Sequence, residues 1–200
     1  ACFRARDVVR QLLNFSRKAE QLITPLKIND IVVESMKLLR ASIPSIIDID
    51  LKIPEKNETI LADATQIHQV LINLCTNAAH AMEEKGGELK VSLKKMQLGA
   101  LDLITSEMTP GDYVCLTIAD TGVGMDKTLT DKIFDPFFTT KGQGEGSGLG
   151  LTVARRIIRK FGGDVRIESL EGRGTTCTVT LPSLAAAAEV KTRHQHLLQC

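Results

Sequence analysis

Five of the nine residues from Gly142 to Gly150 are glycine, at positions 142, 144, 146, 148 and 150, and the chain then runs straight into an apolar segment. A flexible linker does not usually feed directly into a helix as apolar as Leu149-Leu151-Val153-Ile157-Ile158. A lid does. Its backbone N–H groups can close on phosphates, and the following helix, predicted from about Leu149 to Phe161, offers its positive N-terminal end. Lys141 stands immediately before the glycines. The segment is neither of the two common phosphate loops: no G-x-x-x-x-G-K-[ST] occurs, and G-x-G-x-x-G fails at every start within it.

A second constraint lies upstream. Asp63 opens a long predicted helix, with Gln66 as a capping-box partner and Gly86-Gly87 as its stop. At 3.6 residues per turn, Ile67, Val70, Leu71, Leu74, Ala78, Ala81 and Met82 share the core face. Asn73, Asn77 and His80 fall on a narrow stripe beside it, extended by Gln66 and Gln69. Solvated helix faces are normally Lys, Glu and Arg, whereas Asn is a poor helix former. Two Asn one turn apart therefore read as ligands. Their carbonyl oxygens are hard donors suited to Mg²⁺, and His80 could reach a phosphate.

The strand Val114–Ala119 runs into Asp120-Thr121-Gly122-Val123-Gly124. A carboxylate at the end of a buried strand needs partners, and an adenine amine is one. Gly122 and Gly124 let the backbone bend and a flat ring approach. Phe134, Phe137 and Phe138 follow, three of only six Phe, and suggest a cluster anchoring a loop. Further strands are predicted at Ile47–Ile53, Ile60–Ala62, Leu89–Leu93, Val165–Ser169 and Thr176–Leu181, the last two joined by Glu171-Gly172-Arg173-Gly174, for which a plain β-turn is adequate. A helix is predicted at Ile31–Leu39. Strands with helices set between them imply an α/β fold, a two-layer sandwich with one mixed sheet and helices on one face.

The ends read differently. Val8, Leu12, Phe15, Ala19 and Leu22 make a coiled-coil-like stripe over 4–23, ended by Pro25. It fits either a helix docked on the domain or the stub of a dimerisation helix. Three regions result: 1–24, a catalytic domain over 25–182, and a tail over 183–200. Net charge is +1, which argues against a nucleic-acid partner held by bulk electrostatics. The five cysteines are widely spaced with no C-x-x-C, which points to a reducing compartment. No apolar run reaches the ~18 residues of a membrane span. A cytoplasmic fragment of a longer protein is expected. His194 and His196 with Cys200 could in principle bind a metal, but a lone H-x-H near a terminus is usually nothing.

The order of these pieces resembles the superfamily shared by DNA gyrase, the heat-shock chaperone ATPases and histidine kinases, and within it a bacterial sensor histidine kinase. The resemblance runs from about Pro25 to Pro182. It rests on an N box (Asn73 to His80), a first Gly box (Asp120 to Gly124), an F box (Phe134 to Lys141), a second Gly box (Gly142 to Gly150) and a third (Gly172 to Thr175). It implies ATP and Mg²⁺ as cofactors. By resemblance Asn77 binds Mg²⁺ with Asn73 lining the same site, and His80 contacts phosphate. Asp120 accepts from the adenine amine, Gly122 and Gly124 leave room for the base, and Thr175 supports Asp120 through water. Lys141, Gly146, Gly148, Leu149 and Gly150 hold the phosphates. Relatives that hydrolyse ATP carry a Glu four residues before the Mg²⁺ Asn; here that residue is Asn73, an amide that cannot take a proton. The γ-phosphate then awaits a histidine on a dimerisation domain, upstream of this chain, of which Leu12-Leu13-Asn14-Phe15-Ser16-Arg17 resembles the end. His68, on the long helix, reads as structural. Implied partners are that domain and a response regulator or fused receiver domain, with the fragment itself a monomer or weak dimer. An ATPase of the gyrase or chaperone kind, a degenerate nucleotide-binding module and a serine kinase of the anti-sigma type are the competing readings.

Overall fold

The computed structural model describes residues 22–103, 108–140 and 146–184. The elements are β1 (Thr24–Lys27), α1 (Ile28–Arg40), β2 (Ile47–Lys52), β3 (Thr59–Ala62), α2 (Ala64–Ala81), β4 (Gly87–Leu98), β5 (Gly111–Asp120), α3 (Lys127–Thr130), α4 (Gly150–Lys160), β6 (Asp164–Leu170) and β7 (Gly174–Pro182). Five strands form a mixed sheet in the order β2-β4-β5-β7-β6, with β2 parallel to β4 and the other pairs antiparallel. The helices pack on one face, the expected two-layer α/β sandwich.

Period-2 alternation explains the layering. Leu89, Val91 and Leu93 of β4, Val114, Leu116 and Ile118 of β5, and Cys177, Val179 and Leu181 of β7 are buried in one core. They meet Ile67, Val70, Leu71 and Leu74 of α2 and Ala154, Ile157 and Ile158 of α4. Burying a side chain of this size contributes roughly 1.5–3 kcal/mol, so the two helices are held chiefly by these stripes. A smaller cluster, Leu98, Met108 and Tyr113, closes the far end of the β4–β5 pair, where the Tyr113 hydroxyl donates to the Thr109 carbonyl at 2.8 Å.

Two expectations need correction, and a third falls almost wholly outside the described residues. Pro25 does not merely end a helix: it lies within β1, which pairs antiparallel with β3, Pro25 opposite Leu61. The boundary expected between residues 24 and 25 therefore cuts a strand. Proline is tolerated there because the two-stranded sheet leaves an edge without need of its N–H. The helix expected over 4–23 lies outside the described residues except for Leu22 and Ile23, which are irregular and exposed. At α2, Asp63 Oδ1 accepts from the N–H of Thr65 (2.9 Å) and Gln66 (3.3 Å), but the reciprocal half of the capping box is missing: Gln66 Oε1 is buried without a hydrogen-bond partner. Among the described residues no helix is long and apolar enough to cross a membrane.

Candidate functional site

The helical pitch sets Asn73 and Asn77 one turn apart, and α2 aims both at the start of α4. Asn73 Nδ2 donates to the Gly150 carbonyl at 3.2 Å. A Cβ added at Gly150 would lie 3.8 Å from Asn73 Cγ and 3.9 Å from Asn77 Nδ2. No side chain caps α4 at Leu149. Its first-turn N–H groups thus stand uncapped beside two neutral amides, a donor set suited to phosphate oxygens, with amide oxygens suited to a hard cation. Leu149 is half-buried, its N–H 3.4 Å from Ser147 Oγ and its carbonyl accepting from Val153 N–H at 2.9 Å. Gly146 is exposed. His80 lies on the same helix, but its Nδ1 faces Glu83 at 3.3 Å, so reaching a phosphate would mean leaving that carboxylate. Lys141, Gly142 and Gly144 lie outside the described residues.

Asp120 ends β5 with Leu89 on one side and Thr175 on the other. Its Oδ1 accepts from the N–H of Gly122 at 2.9 Å and of Thr175 at 3.2 Å. Burial raises its pKa above the ordinary value, and the two N–H groups offset part of that. Among the described residues no cation contributes to holding it. This half-buried acceptor is suited to a ligand that brings its own N–H donors.

A sequence profile of the histidine kinase-, DNA gyrase B-, and HSP90-like ATPase family matches residues 62–185. The chain belongs to that family. It is similar to the sensor kinase CckA of Brucella abortus, 38% identical over 186 residues, which cover 90% of this chain and 19% of that protein. Among solved structures, it is similar to ThkA in a complex with the response regulator protein TrrA, with TM-score 0.65 and 28% identity, covering 90% of this chain and 48% of that one. Full-length ShkA in complex with AMPPNP gives TM-score 0.62 and 25% identity, covering 84% of this chain and 32% of that one. The chain thus spans between 14% and 36% of the length of the curated relatives it matches. It corresponds to their catalytic ATPase portion.

Within this ATPase-family site, several details differ from what the residues suggested. A Cβ at Gly122 would come within 2.5 Å of the Ala81 carbonyl, and one at Gly124 (φ 65°) would collide with the Leu170 carbonyl. These glycines let the loop lie against α2 and the β6–β7 turn, a packing role in addition to the room for a base expected of them. The Thr175 link to Asp120 is direct, through the main-chain N–H, while its hydroxyl turns to Ser169 Oγ at 2.8 Å. Phe134 and Phe137 do not share one environment. Phe134 packs on the core beneath Arg155, whose guanidinium lies 4.3 Å from the ring centroid. Phe137 is 72% exposed and adopts φ 67°. Its N–H donates to the Gly148 carbonyl at 3.1 Å, and a Cβ at Gly148 (φ 64°) would strike the Phe137 main chain. Gly148 is therefore fixed by close backbone contact with the aromatic loop.

Two residues escaped the sequence reading. Ser169 bonds to Met125, Gly174 and Thr175. Asp164, fully buried, binds Arg155 and Arg159. Only a polar residue at a strand end marked each. His68, read as structural, bonds through Nδ1 to the buried Ser35 hydroxyl at 2.6 Å.

Proposed function

We propose that this domain binds ATP with Mg²⁺ between α2 and α4 and donates the γ-phosphate to a histidine of a dimerisation domain, from which a response regulator takes it. The observation that carries the reading is the convergence of Asn73 and Asn77 on the uncapped start of α4, with Asp120 presenting an acceptor from the end of β5. Asn77, with Asn73 beside it, would hold Mg²⁺, which would neutralise charge on the phosphates. Gly148, Leu149 and Gly150 would cradle phosphate oxygens through main-chain N–H groups, aided by Gly146, Lys141 and His80. Asp120 would accept from the adenine amine.

The absence of a carboxylate at position 73 favours a kinase over an ATPase. Asn73 commits its amide N–H to Gly150 and has no basicity with which to activate water. Transfer then depends on holding the γ-phosphate in line with an incoming imidazole nitrogen, so that the N–P bond forms as the bond to ADP breaks. The complex of the similar ThkA with TrrA supports a response regulator as partner, and the ShkA complex with AMPPNP supports ATP.

Calorimetric titration of a non-hydrolysable ATP analogue with Mg²⁺, on wild type and Asp120→Asn, tests this. Losing one charge-assisted hydrogen bond should weaken binding about ten- to a hundredfold. No binding by wild type would sink the reading, and steady ATP hydrolysis well above background would return the ATPase alternative.

A further inference from the structure

Ser169 belongs to none of the sequence boxes, yet it ends a row of three polar residues across adjacent strands. The register sets Asp120 of β5 opposite Thr175 of β7, and Thr175 opposite Ser169 of β6. Directly paired residues present their side chains on one face of a sheet. Ser169 Oγ accepts from the Met125 N–H at 2.9 Å, donates to the Gly174 carbonyl at 3.1 Å, and lies 2.8 Å from Thr175 Oγ1. One hydroxyl thereby joins the loop after Asp120 to the turn before Thr175.

Counting protons gives this knot a direction. A serine hydroxyl has one proton and two acceptor sites. The Gly174 carbonyl can only accept, so the Ser169 proton goes there. The Met125 N–H can only donate, so it takes one acceptor site. The contact with Thr175 is then satisfied in one way only: Thr175 donates its proton to Ser169. The Thr175 oxygen is left with acceptor sites and no proton to offer. Beside it stands the Asp120 carboxylate, also an acceptor. The Asp120 and Thr175 side chains thus offer acceptors alone, and a base edge, or a water bridging to one, must bring a proton to them.

We propose that Ser169 is a specificity-determining positioning residue, which sets the Thr175 hydroxyl as an acceptor and so tunes the site toward 6-amino over 6-oxo purine nucleotides. This rests on the proposal that the site binds ATP. The discrimination is made at position 6, where adenine supplies an N–H donor and hypoxanthine an oxygen; the one proton on the hypoxanthine edge lies on N1, so the preference requires the Thr175 acceptor to be read at position 6. Without Ser169, the Thr175 proton is free to turn and meet that oxygen.

The experiment measures the affinities of ATP and ITP, with Mg²⁺, for the 200-residue chain and its variants by calorimetry, with thermal melts confirming folded protein. Ser169→Ala is expected to lower the ATP-to-ITP affinity ratio by about tenfold, the worth of roughly one hydrogen bond. Ser169→Thr, which keeps the hydroxyl, is expected to retain the ratio. In a Thr175→Val background, Ser169→Ala is expected to leave the ratio unchanged, because the hydroxyl it orients is gone. A strut that merely stiffens the loop would weaken both nucleotides alike, so an unchanged ratio in Ser169→Ala overturns this proposal and leaves ATP binding intact. Failure of wild type to bind ATP overturns both. Should Ser169→Ala melt out, Ser169→Cys, with a weaker donor and acceptor, is expected to lower the ratio in the same direction, and an unchanged ratio there overturns the proposal equally.

Discussion

Asp120 and Asp164 both withdraw a carboxylate from water along the same strand β7, one opposite Thr175 and the other opposite Thr180, and they are treated in opposite ways. Asp164 is fully buried and met by two cations: Arg155 Nε at 3.2 Å and Arg159 Nε at 2.9 Å, both on α4. Burial pushes its pKa up, but the two arginine hydrogen bonds outweigh it and hold the carboxyl below its ordinary value. Among the described residues Asp120 is met by two main-chain N–H groups, and burial keeps its pKa raised. A carboxylate that the fold completes is structural. One left short of donors is suited to a ligand that brings them. Of these two charges, the one the fold stabilises less is placed where binding can stabilise it.

The largest expected effect comes from the satisfied partner. Asp164→Ala leaves two guanidinium groups without their carboxylate. Because these are 30% and 43% exposed they can turn to water, so the loss is below that of a fully buried pair. About 2–3 kcal/mol is expected, a fall in Tm of roughly 5–10 °C. Asp120→Asn, which keeps an oxygen for the Gly122 and Thr175 N–H groups, should leave Tm unchanged or slightly raised while ATP binding weakens. If Asp120→Asn melts as early as Asp164→Ala, the contrast between the two carboxylates is broken.

Acid sharpens the contrast because the signs differ. A depressed folded-state pKa contributes stability that is present above the unfolded value, about 3.9, and is lost as pH falls through the folded value. Asp164 is of this kind. A raised one costs stability once pH rises past the unfolded value, and acidification relieves the cost; Asp120 is of this kind. At pH 7, Asp164→Asn should melt below wild type and Asp120→Asn at or above it. Both differences should shrink toward zero in acid, since a protonated Asp resembles Asn. Melting curves of the three proteins between pH 7 and pH 3 check this, and differences of the same sign would contradict it.

How far the sequence could be read follows from the range of the forces involved. The faces of α2 and α4 and the alternation of β4 and β5 were legible, because periodicity is local and a buried stripe is required by the sheet. The convergence of Asn73 and Asn77 on Gly150 was half legible: the spacing placed two amides on one stripe, while their partner arrived from 73–77 residues away. β1 was hidden by Pro25, because proline is read as a stop where no partner strand is visible. α3, at four residues, is shorter than any periodic signal. The Phe segment suggested one cluster, but Phe137 is turned outward by a positive φ set against Gly148, a contact between two loops. Ser169 was invisible for the same reason. It sits near the end of an ordinary strand, and its three partners lie at the start of β7 and in one distant loop.

The smallest expected effect tests how separate the two regions are. Arg155 reaches from Asp164 to the aromatic loop that backs onto Gly148. It binds Asp164 through Nε, with a second nitrogen 3.5 Å from Oδ2, and its guanidinium covers Phe134 of the aromatic loop. The Phe134 carbonyl in turn accepts from the Thr152 hydroxyl at 3.1 Å, one turn earlier on α4. Arg155→Lys keeps the charge but removes the fork and the flat stacking face. Arg159 remains on Asp164, so the carboxylate is still paired. A loss of about 0.5–1 kcal/mol is expected, a fall in Tm of roughly 1–4 °C, with affinity for the ATP analogue within about twofold of wild type. Were affinity to fall as far as in Asp120→Asn, the path from Asp164 through Arg155 to Phe134 would be part of the binding site. The carboxylate that the fold completes would then be holding the loop in place for the one that it leaves incomplete.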